Sequence, residues 1–197
     1  MGRLPLFDRS ACLDSATFQF WRDGYAASSI DDLCRCTGLA RASVYHAFAD
    51  KRGLLLACLE RYAATSATAL ADYLRRPGSG RDALIAMLDG SAADAAASEH
   101  PPGCFFLVVG SEMGSTDVEV AARVQAGIAE IQHTLTLLAF RGIGDGSLPR
   151  QMDAIRAANI LTGIVVGIRS LGRLGGAAPI AGDLLLHGKR VLDSAYY

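Results

Sequence analysis

The sequence predicts an all-α protein of about nine helices. Hydrophobic residues make up 51% of the chain and aromatic residues only 7%. With Ala abundant and β-branched residues sparse, packed helices are favoured over sheets. Apolar side chains recur at three- and four-residue spacing between Gly- and Pro-rich breaks, which is the period of an amphipathic helix rather than a strand. A chain of 197 residues can bury a sizeable core, so one or two small domains are expected without a disulfide or metal staple.

Asp8 is placed to cap a first helix running to about Asp23, on which Leu13, Ala16 and Phe20 share a face before Gly24 ends it. Ser29 and Asp32 read as a capping box, Asp32 serving as a shorter version of the usual Glu, and the second short helix they open closes near Cys36. Thr37-Gly38-Leu39 supplies a turn, because Gly38 reaches positive φ without a Cβ clash, and a third helix follows from Ala40 to Ala47. Asp50 caps a long fourth helix to about Leu74, closed by Arg75-Arg76-Pro77-Gly78-Ser79-Gly80. Further helices are expected at about 81–98, 103–113, 117–141, 150–173 and 180–195. In the seventh, Ala121, Val124, Ile128, Ile131, Leu135 and Leu138 make one continuous apolar stripe, the pattern of core packing.

Several classes are disfavoured. The opening Met1-Gly-Arg-Leu-Pro-Leu-Phe7 lacks a secretion signal, and no segment reaches the roughly 18 uninterrupted apolar residues of a membrane span, so a cytoplasmic protein with no membrane partner is expected. The most apolar stretch, Ala157 to Ile168, is broken by Asn159 and Thr162 and reads as a buried helix. Cys12, Cys34, Cys36, Cys58 and Cys104 are odd in number and scattered, which suggests reduced thiols rather than a disulfide framework or zinc site. The enzyme signatures of a phosphate loop, nucleophile elbow or spaced carboxylate pair do not occur, and His100, His133 and His187 stand apart, so no cofactor or metal is expected. Net charge is only −1, and residues 1 to 52 carry seven Arg and Lys against six Asp, so any nucleic-acid reading rests on placement and not on composition.

The first three helices have the spacing of a helix-turn-helix. Ile30, Leu33, Leu39, Val44 and Phe48 can form its inside over Leu13, Ala16 and Phe20, leaving Arg41, Ala42, Ser43, Tyr45 and His46 outward. Phe20-Trp21-Arg22-Asp23-Gly24-Tyr25-Ala26-Ala27-Ser28-Ser29-Ile30-Asp31-Asp32-Leu33, Thr37-Gly38-Leu39 and Ser43-Val44-Tyr45-His46-Ala47-Phe48-Ala49-Asp50-Lys51 together resemble the DNA-binding signature of the TetR/AcrR family, over roughly residues 9 to 62. The resemblance implies a DNA-binding domain at 1–50, a ligand-binding and dimerisation domain at 51–197, and a repressor released from a near-palindromic operator by a small molecule or electrophile. It also implies that Ser28 or Ser29, with the second helix's amides, meets a phosphate, and that Tyr45, His46 and Lys51 clamp the backbone of the duplex. Arg41 is the best candidate base reader, its guanidinium being equally suited to a phosphate, while Ala42 and Ser43 are short enough for close approach to base edges. His46 also reads as an ordinary surface histidine at a helix end. Ala40 departs from the family, which commonly has Ser or Thr at this cap.

Two-fold operators need a dimer. On the eighth helix Ala158, Thr162, Val165 and Val166 form a second apolar face beside Leu161, Ile164, Ile168 and Leu171, and the ninth adds Ile180, Leu184, Gly188 and Val191, so either a homodimer seam or monomeric core packing fits. Pro101-Pro102-Gly103-Cys104-Phe105-Phe106 resembles the Gly-Cys opening of the sixth helix in one branch of the family, which implies an effector site at Cys104, Phe105 and Phe106; an ordinary buried thiol is the other reading. A helical protein-interaction adaptor or a helical enzyme are the competing functions.

Overall fold

A computed structural model of the chain describes residues 7–96, 101–174 and 178–194. His100 and the expected ends of the fifth and ninth helices lie outside them. The described residues form nine helices: α1 (Arg9–Asp23), α2 (Ile30–Thr37), α3 (Arg41–Phe48), α4 (Lys51–Arg75), α5 (Gly80–Ala96), α6 (Phe105–Met113), α7 (Val118–Gly144), α8 (Ala154–Gly172) and α9 (Ala178–Val191). Each begins within a few residues of the position the spacing predicts, and those other than α5 and α9 also end there.

Caps explain why the chain starts helices where it does. Asp8 accepts from Ser10 N at 2.9 Å and Ala11 N at 3.1 Å, and Asp50, Asp117 and Asp153 do the same work for α4, α7 and α8. The Ser29/Asp32 box closes in both directions, with Ser29 N donating to Asp32 Oδ2 at 2.9 Å and Asp32 N to Ser29 Oγ at 3.1 Å. Gly38 sits at φ +70° between α2 and α3, as the turn requires. The α3 start has no side-chain cap at Ala40.

Two hydrophobic clusters organise the packing. The larger joins α5, α7, α8 and α9 through Leu84, Leu88, Leu135, Leu138, Leu161, Ile168 and Val191. The buried half of the α7 stripe, Ile131, Leu135 and Leu138, belongs to it. The second begins with Leu13, Ala16, Phe20, Leu33, Val44 and Phe48 of α1–α3, continues through Leu54, Leu55 and Leu59 of α4, and ends in Phe105 and Val109 of α6. Among the described residues α8 is long and apolar enough to cross a membrane by length and composition, with 19 residues at mean hydropathy 1.4. It packs instead against α5, α7 and α9.

The α5–α7 contact depends on a missing side chain. Gly80 opens α5 against the backbone of Gly142 and Leu138, its amide donating to Asp145 Oδ2 at 2.7 Å, and an added Cβ would fall inside that backbone. Gly80→Ala is therefore expected to lower unfolding free energy by about 1–3 kcal/mol through overpacking, measured by urea denaturation; an unchanged midpoint would show that the two helices separate freely.

Candidate nucleic-acid interface and internal cavity

The outer face of α3 carries the candidate DNA contacts. Arg41, Ala42, Tyr45 and His46 are exposed and Ser43 is half-buried, while Val44 and Phe48 turn into the core. Arg41 Nη2 donates to Asp31 Oδ1 at 2.7 Å, joining α3 to the first turn of α2; both side chains remain more than half exposed, so the pair is held loosely. Ser29 caps α2 at the surface. Ser28 requires correction as a phosphate contact: its side chain is fully buried and its hydroxyl donates to Gly24 O at 2.7 Å, closing the α1–α2 turn.

Lys51, at the first position of α4, is half-buried with its Nζ 4.2 Å above the Tyr25 ring. Burial pushes the ammonium below its ordinary pKa, and the charge of Glu112 opposes that shift. Glu112, near the end of α6, accepts from Tyr25 N at 2.8 Å and Ala26 N at 3.0 Å. The α3–α4 junction beside it is strained: Ala49 has φ +68° and ψ −52°, with Asp50 N donating to Phe48 O at 2.9 Å, a γ-turn of the rare positive-φ kind.

Two further contacts tie this region to the rest of the chain. Arg52 donates to Asp117 at 2.5 and 2.9 Å and to Glu119 at 3.0 Å, holding the Asp117 carboxyl down to a pKa of about 2. Arg173, just past α8, donates to Trp21 O at 2.7 Å and Arg22 O at 3.2 Å at the end of α1.

A cavity of about 490 Å³, partly open to solvent, lies where α1, α4, α5, α6, α7 and α8 meet. Cys104 and Phe106 line it, beside Trp21, Tyr62, Tyr73 and Arg169. Phe105 does not; it is fully buried between Trp21 and Tyr62, with centroid distances of 6.2 and 5.5 Å, and serves the core. Cys104 is the first residue before α6, 2% exposed, and accepts from the Tyr62 hydroxyl at 3.7 Å. Burial pushes the Tyr62 phenol above its ordinary pKa. The cation beside this thiol is Arg169, which sits next to both Cys104 and Tyr62 and pairs with Asp94 at 2.5 Å. Lys189, on α9, pairs with Asp89 of α5. A lone Arg in the last turn of the most apolar helix was the available signal for Arg169.

The expected seam residues divide. Ala158, Thr162, Val165, Gly188 and Val191 are all buried within the chain, because α8 is enclosed by α5, α7 and α9 and Gly188 lies against Ile164 and Leu88. Val166 and Leu184 are half-buried, and Ile180 is exposed. The apolar side chains left outside on α8 and α9 are Ile155, Ile180 and Leu186.

Comparison with known proteins decides the family. Residues 13–58 match the bacterial regulatory proteins of the tetR family, and residues 80–181 match the tetracyclin repressor-like C-terminal domain. The chain belongs to the TetR family. It is a transcriptional regulator and not an enzyme. Among similar proteins, the HTH-type transcriptional repressor ComR of Escherichia coli strain K12 is 29% identical over 175 residues, 88% of this chain and 83% of ComR. A cysteine-substituted form of the regulator CifR, complexed with 26-base-pair operator DNA, is 26% identical with TM-score 0.81, covering 96% of this chain and 98% of that one. A TetR-family regulator from Chloroflexus aurantiacus is 27% identical with TM-score 0.81, covering 91% and 90%.

Because Glu112 alone supplies the carboxylate to Tyr25 N and Ala26 N, Glu112→Ala should speed hydrogen exchange at these two amides at least about tenfold, a loss of about 1.4 kcal/mol of local protection. Amide exchange resolved by NMR measures it; unchanged rates would mean that the turn holds without α6.

Proposed function

We propose that the chain is a repressor that binds a near-palindromic operator as a homodimer and leaves it when a small molecule occupies the cavity. The observation that supports it best is the exposed face of α3, with Arg41, Ala42, Ser43 and Tyr45 presented together on a helix whose other side is core. Arg41 reads a base, a guanine by its fork geometry, and Ser29 with the α2 amides, Tyr45, His46 and Lys51 hold phosphates. Such a reader works in the cytoplasm, with residues 1–50 as the DNA-binding domain and 51–197 as the domain for ligand and dimer. ComR's name and CifR's operator complex support this reading.

The seam lies on the outer faces of α8 and α9. Ile155 and Ile180 are exposed there, and Gly163, in mid-α8, has nothing of its own chain within reach of an added Cβ. A glycine inside a helix costs about 1 kcal/mol relative to Ala, and close approach of a second copy gives that cost a purpose.

Release runs through α6. Cys104 and Phe106 at its start line the cavity, and Glu112 near its end holds the turn beside Lys51. A ligand that fits better when α6 shifts lowers the population of the DNA-binding form by the difference in its affinity for the two states. An electrophilic effector bonds to Cys104: the sulfur adds to the β-carbon of an unsaturated carbonyl, the electron pair moves to the carbonyl oxygen, and the thiol proton completes the enol.

Selection of bound sequences from random DNA should return a near-palindrome. Arg41→Ala should lose about tenfold or more in discrimination between that operator and random duplex, whereas Lys51→Ala should weaken both alike. Equal loss on both duplexes for Arg41→Ala would sink its base-reading role. For Cys104, an α,β-unsaturated carbonyl should release operator from wild type and not from Cys104→Ser; an unchanged response in the variant eliminates thiol sensing.

A further inference from the structure

We propose that the cavity takes an uncharged aromatic molecule bearing a hydrogen-bond donor, a phenol in its simplest form; this rests on reading the cavity as the effector site. The charge balance of the lining carries the first half of the inference. Among the described residues four charged side chains line the cavity, and they cancel in pairs: Arg61 donates to Asp14 at 3.0 and 3.1 Å, and Arg169 to Asp94 at 2.5 Å. An anionic ligand competes with a carboxylate for its guanidinium, and a cationic one with a guanidinium for its carboxylate, so a charged ligand of either sign has to give up an ion pair that the wall already makes. An uncharged ligand leaves both pairs intact.

Shape and hydrogen bonding supply the rest. Tyr62 meets Trp21 at 5.3 Å and Phe106 at 4.9 Å between centroids, each at 79°, so the rings form a corner in which a flat ring stacks on one wall and meets the next edge-on. The volume of about 490 Å³ is that of a small-molecule site, which typically spans about 300–1,000 Å³. Three lining hydroxyls have already given their protons away: Thr65 to Arg61 O at 3.2 Å, Ser91 to Met87 O at 2.9 Å, and Tyr62 to Cys104 Sγ at 3.7 Å. Each of these oxygens still offers a lone pair to a donor, while the buried Arg169 Nε–H on the same wall has no hydrogen-bond acceptor, so the complementary substituent is one that both donates and accepts, as a phenolic hydroxyl does.

Calorimetric titration of the full chain with 2-naphthol, 2-methoxynaphthalene and 2-naphthoate tests this. 2-Naphthol should bind about tenfold more tightly than the methyl ether, the value of one hydrogen bond, and more tightly still than the carboxylate. Asp94→Asn, which leaves Arg169 without its carboxylate, should improve 2-naphthoate binding about tenfold with little change for 2-naphthol. Ser66→Phe, which fills the cavity from α4, should abolish 2-naphthol binding while circular dichroism stays helical. Naphthoate binding as tightly as naphthol in wild type, no heat from any probe, or naphthol binding untouched by Ser66→Phe would each overturn the inference. If 2-naphthol binds as expected but operator affinity does not change, the ligand class stands and the effector reading fails.

Discussion

The DNA-facing helices of this protein have no closed core of their own. Phe20, Leu33, Val44 and Phe48 are buried only because Leu54, Leu55 and Leu59 of α4 and Phe105 and Val109 of α6 complete the same cluster. Eight-residue helices such as α2 and α3 are too short to hold themselves together in water, so their geometry is set by what they pack on. Phe105 is the point where this dependence concentrates, wedged between Trp21 of α1 and Tyr62 of α4. A shift of α6 cannot leave α1 unaffected, because close-packed interiors do not deform gradually.

Polar contacts follow the same route. Glu112 reaches the α1–α2 turn from α6, Arg173 reaches the end of α1 from just past α8, and Arg52 joins α4 to the start of α7. Each bridges residues more than sixty positions apart, so none can form before the chain has folded. With the whole chain near neutral, what electrostatics contributes here is local: Arg41 held toward Asp31, Lys51 placed over Tyr25 near Glu112, and two neutralised pairs on the cavity wall.

Much of the helical plan was legible because it rests on short-range chemistry. A Ser followed three residues later by an Asp can satisfy two amides of one turn, so Ser29 and Asp32 announce α2 without any tertiary partner. Gly38 announces the turn for the same kind of reason, and Ile131, Leu135 and Leu138 announce a buried face by their spacing. Ser28 and Ser29 could not be told apart, because two adjacent serines look alike until the turn folds one inward onto Gly24 O. For Ala158 and Val165 the sequence leaves the choice open, because a helix apolar nearly all round does not say which apolar side meets its own chain.

The helices, their order, the inward and outward faces of α3 and the membership of the TetR family can be read along the chain, since all of these depend on neighbours within a few turns or on a pattern of many spaced positions. It takes folding to bring Cys104 to Tyr62 and Arg169, to set Phe105 in the core, to balance the charges of the cavity wall and to make α6 grip the turn before α2. Those facts join residues far apart in the chain, and periodicity carries no information about which distant side chains a fold brings within a few ångströms.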